Sequence, residues 1–168
     1  MAPLHGQLRQ GDQREPGSRS AIRRSAHGLD EPIDGVIFDV DASTVIRYSW
    51  TTLTEEVSRF CSGKGDGLLS VFAPHATAGL ALMETGSGSE ADLDEVIDRL
   101  LPRDDRYRHR HGARGHGADH VLPAFVSPSL SIPVVEGSPT LGTWQSVCLV
   151  DLNRDNPVRS VRLTFLAG

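Results

Sequence analysis

Four of the seven histidines fall within one short stretch, YRHRHGARGHGADH, running from Tyr107 to His120. Imidazole is a common nitrogen ligand for zinc and other first-row divalent ions, and three histidines with an open position make a catalytic site. The same groups could serve as acid–base residues or as part of an anion-binding surface. The spacing H-x-H, four residues, then H-x-x-x-H matches no standard zinc signature. Gly115 and Gly117 argue against a helix that would align His116 with His120. A histidine- and arginine-rich exposed loop is the plainer reading, and it suits His111 in particular.

Five arginines accompany these histidines: Arg103, Arg106, Arg108, Arg110 and Arg114. A guanidinium suits two-pronged contact with phosphate or carboxylate, although a solvated basic face is the ordinary role of most such residues. Asp119 could orient an imidazole or bind a metal itself. Two residues outside the stretch join them as candidates. His75 opens HATAG directly after Pro74, at the expected end of a buried strand, where a scaffold presents side chains to a cleft. Glu84 follows the apolar run AGLALM, just before a glycine-rich turn. Read singly, each is as well explained by a satisfied histidine and a solvated strand end. Gln145, in GTWQS, is a hydrogen-bonding candidate beside Trp144, which suits a core or an interface. No P-loop, GxGxxG or nucleophile elbow is present.

The elements that must hold these groups are legible in the periodicity. VIFDVDAS and TVIRYSW read as successive strands. Leu53, Val57, Phe60 and Cys61 recur at helical spacing, with a capping-box pattern at Thr52 and Glu55 and glycines at the end. LLSVFAP and HATAGLALME read as buried strands. A second helix carries Leu93, Val96, Ile97, Leu100 and Leu101 on one stripe, acidic residues in its first turns and Pro102 at its end. The histidine loop follows, and then strand-like pieces only: VLPAFVS, LSIPVV, TLGTWQSVCLVDL and VRSVRLTFLAG. Six to eight strands with two helices inserted mid-chain make an α+β fold, a single-domain β-sandwich with the helices on one side.

Residues 1–32 carry five arginines and almost no large apolar side chain, so they are expected to form a disordered arm, with the folded domain at 33–168. The arm lacks the apolar stretch of a leader peptide, and no run approaches the ~20 apolar residues of a membrane span. The net charge of −5 argues against a nucleic-acid binder. Cys61 and Cys148 read as small core residues. A cytoplasmic protein is expected.

The elements VFAPHATAGL, LPRDDRYRH, GADH, SPSLSIPV and LGTWQS, in this order and approximate spacing, resemble the YjbQ family, also called the secondary thiamine-phosphate synthase family. The resemblance runs from about Val36 to the C-terminus. It implies a compact β-sandwich with two helices, assembled as a homotrimer. It also implies a polar site that gathers His75, Glu84, His109 and His120, with His75, His109 and His120 as metal ligands. Arg108, Arg114, Asp119, Thr77 and Gln145 are the candidates for contact with a phosphorylated or other anionic substrate. Some positions depart from the family pattern. Met83 and Thr85 stand where amides commonly flank the acid, and Leu122 replaces a common lysine.

The activity implied is joining of a pyrimidine-methyl diphosphate to a thiazole phosphate with loss of pyrophosphate. Such a displacement needs a divalent cation, expected to be Mg²⁺ or Zn²⁺, guanidinium groups on the leaving pyrophosphate, and alignment of the two rings. A three-imidazole site suits Mg²⁺ poorly, because Mg²⁺ prefers oxygen. The alternative is a metal-dependent hydrolase in which His75, His109 and His120 hold Zn²⁺ and Glu84 is the general base. A non-catalytic trimeric metal- or ligand-binding protein is the third reading.

Overall fold

The structure is a computed structural model that describes residues 20–21, 34–41, 49–153, 155 and 158–168. Apart from a two-residue strand, β1 (Ser20–Ala21), the N-terminal arm lies outside the described residues, as does most of TVIRYSW. The remaining strands are β2 (Asp34–Asp41), β3 (Ser49–Thr52), β4 (Gly67–Phe72), β5 (Ala78–Met83), β6 (Ser129–Val135), β7 (Ser138–Pro139), β8 (Ser146–Asp151) and β9 (Val158–Ala167). The helices are α1 (Thr54–Cys61), α2 (Ser89–Leu100) and α3 (His116–Asp119).

Six strands form one antiparallel sheet in the order β1-β2-β9-β4-β6-β7, and three form another in the order β3-β8-β5. The longest strand, β9, alternates as a half-buried strand should, with Val161, Leu163 and Phe165 inward. Those side chains meet Leu69 and Val71 of β4, Ile132 and Val134 of β6, and Leu80, Val147 and Leu149 from the smaller sheet. The two sheets therefore share one core. The single-domain α+β, two-sheet expectation holds.

Strand β8 explains how the helices are placed. From Val147 to Asp151 every residue is buried, the pattern of a strand covered on both faces. Val147 and Leu149 face the core between the sheets, together with Leu53, Val57 and Cys61 at α1. Val150, with Leu152 just beyond the strand, joins a second core with Ile97 and Leu101 of the α2 segment, Ala118 and Leu122. The two helices thus pack against two different cores. Trp50 of β3 ties α2 down by donating its indole N–H to Asp94 at 2.6 Å. Of the expected stripe on α2, Ile97 and Leu101 are buried while Val96 and Leu100 stay exposed.

Three local expectations change. Helix α1 begins at Thr54 with Leu53, which has no side-chain acceptor, at the cap; the Thr54 hydroxyl accepts the Val147 N–H at 3.0 Å, and the Thr52–Glu55 capping box does not form. VLPAFVS is a helical turn at Leu122–Ala124, since Leu122 must enter the second core and the N–H groups of Phe125 and Val126 both reach its carbonyl at 2.9 Å. GTWQS is a turn rather than strand interior. Gln145 folds back to accept the Gly142 N–H at 2.8 Å, leaving Trp144 73% exposed and outside the core. Both cysteines are buried, as expected of core residues.

Candidate metal centre

After α2 the chain leaves regular structure at Pro102, which cannot continue a helix. Asp104 organises the first turn by accepting both the backbone N–H and the guanidinium of Arg106. Tyr107 packs against the second core. The loop then doubles back on itself, and two glycines allow it to close. A side chain at Gly117 would meet Tyr107 Cβ at 2.4 Å, and one at Gly112 (φ +81°) would meet the His116 ring at 2.8 Å.

The outcome is one group of four imidazoles. His109, His111, His116 and His120 each offer a ring nitrogen, and these atoms all lie within 4.8 Å of one another. Ring centroids are 3.9 Å apart for His109–His111 and 4.2 Å for His109–His120. The helix expected to be excluded by Gly115 and Gly117 is present: Gly115 caps α3 in the left-handed conformation, and one turn brings His116 Nε2 to 3.0 Å from His120 Nε2. His111, read from the sequence as an exposed loop residue, and His116, to which the resemblance assigns no role, are both members of the group. What could have revealed them is the run of glycines, which marks a loop folding tightly enough to bring distant ring nitrogens together.

Burial is graded across the group. His116 is buried, His120 partly so, and His109 and His111 face solvent along a cleft of about 340 Å³ that Asp105, Arg110 and Arg114 also line. Burial, and then the neighbouring imidazoles, hold His120 below the ordinary histidine range. Partial desolvation among the packed rings, followed by His111 and His116, does the same for His109. Both rings are thereby favoured in the neutral, electron-donating form. Behind them Asp119, 1% exposed, is gripped by Arg103, which also donates to the Leu152 carbonyl at 3.2 Å. Burial pushes the Asp119 carboxyl upward, opposed by that guanidinium.

The donor set fits a borderline first-row ion. Zinc bonds imidazole nitrogen at about 2.0–2.1 Å, which puts tetrahedral donors roughly 3.3 Å apart. The 3.0 Å separation of His116 and His120 is close to this, and the exposed rings of His109 and His111 are free to move inward. Four nitrogens and no oxygen are the wrong shell for Mg²⁺.

The remaining candidates lie elsewhere in the chain. His75 Nε2 accepts the Ser160 N–H at 2.9 Å, on β9, and His75 is not in the four-imidazole group. Glu84 accepts the Ser87 hydroxyl at 2.8 Å and stands just past Met83, whereas His75 precedes Ala78. The whole of strand β5 lies between them in the chain, and neither belongs to the four-imidazole group. Thr77 is buried and takes a 3.5 Å contact from the Asn153 amide. Gln145 belongs to the turn described above. Arg114 is 3.7 Å from Asp105 with both side chains largely in solvent, and Arg108 is exposed. Of the departures from the family pattern, Leu122 and Met83 are buried apolar residues, and the Thr85 hydroxyl pairs with that of Ser146 at 3.2 Å.

Residues 40–168 match the family described as UPF0047 protein YjbQ-like. A UPF0047 protein of Mycobacterium tuberculosis is 59% identical over 136 residues, covering 81% of this chain and all of the relative. In three dimensions, a protein of Aeropyrum pernix superposes with a TM-score of 0.71 at 30% identity, covering 80% of this chain and 99% of its own. A YbjQ-like protein of Sulfolobus solfataricus superposes at 0.72 and 23% identity, covering 81% and 99%, and shares the fold. With a family match over most of its length and a relative this similar, the chain belongs to the YjbQ-like UPF0047 family.

Proposed function

We propose that the protein is a metal-dependent hydrolase acting on a small anionic substrate, with a first-row transition ion such as Zn²⁺ held among His109, His111, His116 and His120. The observation that carries this reading is the convergence of four imidazole nitrogens within 4.8 Å at the wall of an open cleft. Such an ion, when bound, supplies Lewis acidity toward a carbonyl or phosphoryl oxygen. The chain's own residues do the rest. His116 and His120 form the fixed side of the site, and His109 and His111 the adjustable, solvent-facing side. Arg110 and Arg114 line the same cleft and suit the anionic group of a substrate. Within one chain Asp105 shares that cleft, and it takes the proton-accepting role that the sequence suggested for Glu84.

The transferase reading, joining a pyrimidine-methyl diphosphate to a thiazole phosphate, draws on the same arginines as contacts for pyrophosphate. It needs oxygen ligands for Mg²⁺, and the buried carboxylate nearest the rings, Asp119, is committed to Arg103. The homotrimer implied by the resemblance would give cover to exposed apolar side chains such as Val96, Leu100, Phe125 and Trp144. Among the described residues no helix is long and apolar enough to cross a membrane.

The test is metal analysis followed by turnover. Protein expressed with supplemented Zn²⁺ is expected to hold close to one equivalent per chain and to hydrolyse members of a phosphoester and amide panel, with both properties lost in His109→Ala. Metal content below about a tenth of an equivalent removes the proposal. Full metal content without turnover leaves the binding protein. Thiamine phosphate formed from the two precursors with Mg²⁺ alone would favour the transferase.

A further inference from the structure

His116 has two ring nitrogens in different surroundings. Its Nε2 faces His120 and the other imidazoles. Its Nδ1 is buried and has no hydrogen-bond partner among the described residues, yet two carboxylates flank it: Asp155 Oδ2 at 3.4 Å and Asp119 Oδ2 at 3.5 Å. A buried N–H left unpaired is unfavourable, and a bare nitrogen lone pair facing two carboxylate oxygens is repelled. The arrangement is relieved when Nδ1 carries the proton and either carboxylate moves a few tenths of an ångström.

The two acids are not equivalent. Both oxygens of Asp119 are engaged by the Arg103 guanidinium. Asp155 is 47% exposed, and its side chain has no other partner among the described residues. Its position is nevertheless set by the chain. The Asp155 N–H bonds to the Asn153 side-chain oxygen at 2.8 Å, the Asn153 N–H bonds to Asp151 at the end of β8 at 2.9 Å, and the Asn153 amide reaches Thr77. This relay of short turns delivers one uncommitted carboxylate to the outer nitrogen of the most buried histidine. It borders a second cleft, of about 450 Å³, that Arg103, Asp119 and Asn153 also line.

We infer that Asp155 is a positioning residue: it keeps the proton of His116 on Nδ1, so that Nε2 is presented to the imidazole group as a bare donor. The inference rests on the metal-site reading above and deepens it. A ligand histidine commonly donates its second N–H to a carboxylate, which fixes the tautomer and raises the basicity of the donor nitrogen. Here Asp155 supplies the adjustable carboxylate, and Asp119, tethered by Arg103, supplies the fixed one.

The experiment has two arms on the full chain. In the first, Zn²⁺ is titrated in competition with a chromophoric chelator against wild type, Asp155→Ala and Asp155→Glu. Asp155→Ala is expected to bind zinc roughly 10- to 100-fold more weakly, with the glutamate variant recovering most of the loss and the metal-free unfolding midpoint unchanged. In the second, nitrogen NMR of the metal-free protein reads the His116 tautomer, expected to be Nδ1–H in wild type and mixed in Asp155→Ala. Wild-type affinity in Asp155→Ala, or an Nε2–H tautomer in wild type, overturns the inference. If wild type itself binds no zinc, the metal-site reading falls, and the tautomer arm alone decides the role of Asp155.

Discussion

His116 Nε2 and His120 Nε2 face each other at 3.0 Å across a single helical turn, with His109 and His111 folded over them from the preceding loop. This pair is the rigid half of the candidate centre. It sits directly on the second core, through Ala118 and Leu122, so packing sets where the two rings lie.

The ligand set can be tested residue by residue. His111→Ala and His116→Ala are each expected to weaken zinc binding by at least the roughly 10- to 100-fold of losing a residue that supports a ligand, since each removes a donor itself. Glu84→Gln should leave zinc stoichiometry unchanged, because Glu84 is not in the four-imidazole group and its carboxylate is bonded to the Ser87 hydroxyl. Atomic absorption on the three purified variants separates the outcomes.

Acid should weaken the metal-free fold in a definite window. Unfolded histidine titrates near pH 6.5, whereas His109 and His120 are held lower in the folded chain. Below about pH 6.5 the unfolded state therefore binds more protons, and stability falls as pH drops from there toward the lowered folded values. Above that window the contribution is fully present. Urea midpoints at about pH 7.5 and 5.5 should differ, and the difference should shrink in a His109→Gln/His120→Gln double variant.

Gly112 is expected to resist substitution. Its φ of +81° costs any L side chain about 1–2 kcal/mol, and a Cβ there would lie 2.8 Å from the His116 ring. Gly112→Ala should lower both the unfolding free energy and zinc affinity. An alanine variant with wild-type affinity would show that the loop does not hold the ring where the structure has it.

The buried pair of Arg159 and Asp151 is a separate point of sensitivity. Arg159 takes the first inward position of β9 and is 2% exposed, with its guanidinium donating to Asp151 at the end of β8. Asp151→Ala would remove the carboxylate that neutralises a buried cation and is expected to cost about 3–5 kcal/mol by chemical denaturation. It would also loosen the Asn153 turn that sets Asp155, so zinc affinity should fall with stability.

Much of the scaffold was legible in the chain. The alternation of β9, the unbroken apolar run of β8, and the acidic start and proline end of α2 report burial through local periodicity, which a sequence carries directly. The residue types of the candidate centre were legible too, in the density of imidazoles interspersed with glycine between Tyr107 and His120. Where those groups go was not. Gly115 and Gly117 argue against a helix on propensity, yet Gly115 falls outside it as the left-handed cap, and burial of Ala118 and Leu122 in the second core outweighs the cost of about 1 kcal/mol for Gly117. His75 and Glu84 look like neighbours along the sequence, but an extended strand carries its two ends far apart. VLPAFVS and GTWQS have strand composition, yet a core contact and a side-chain turn decide their shape. Periodicity determined the layers and the donors; only tertiary packing decided which four histidines meet, because a site formed by loop closure depends on contacts between residues that no local pattern relates.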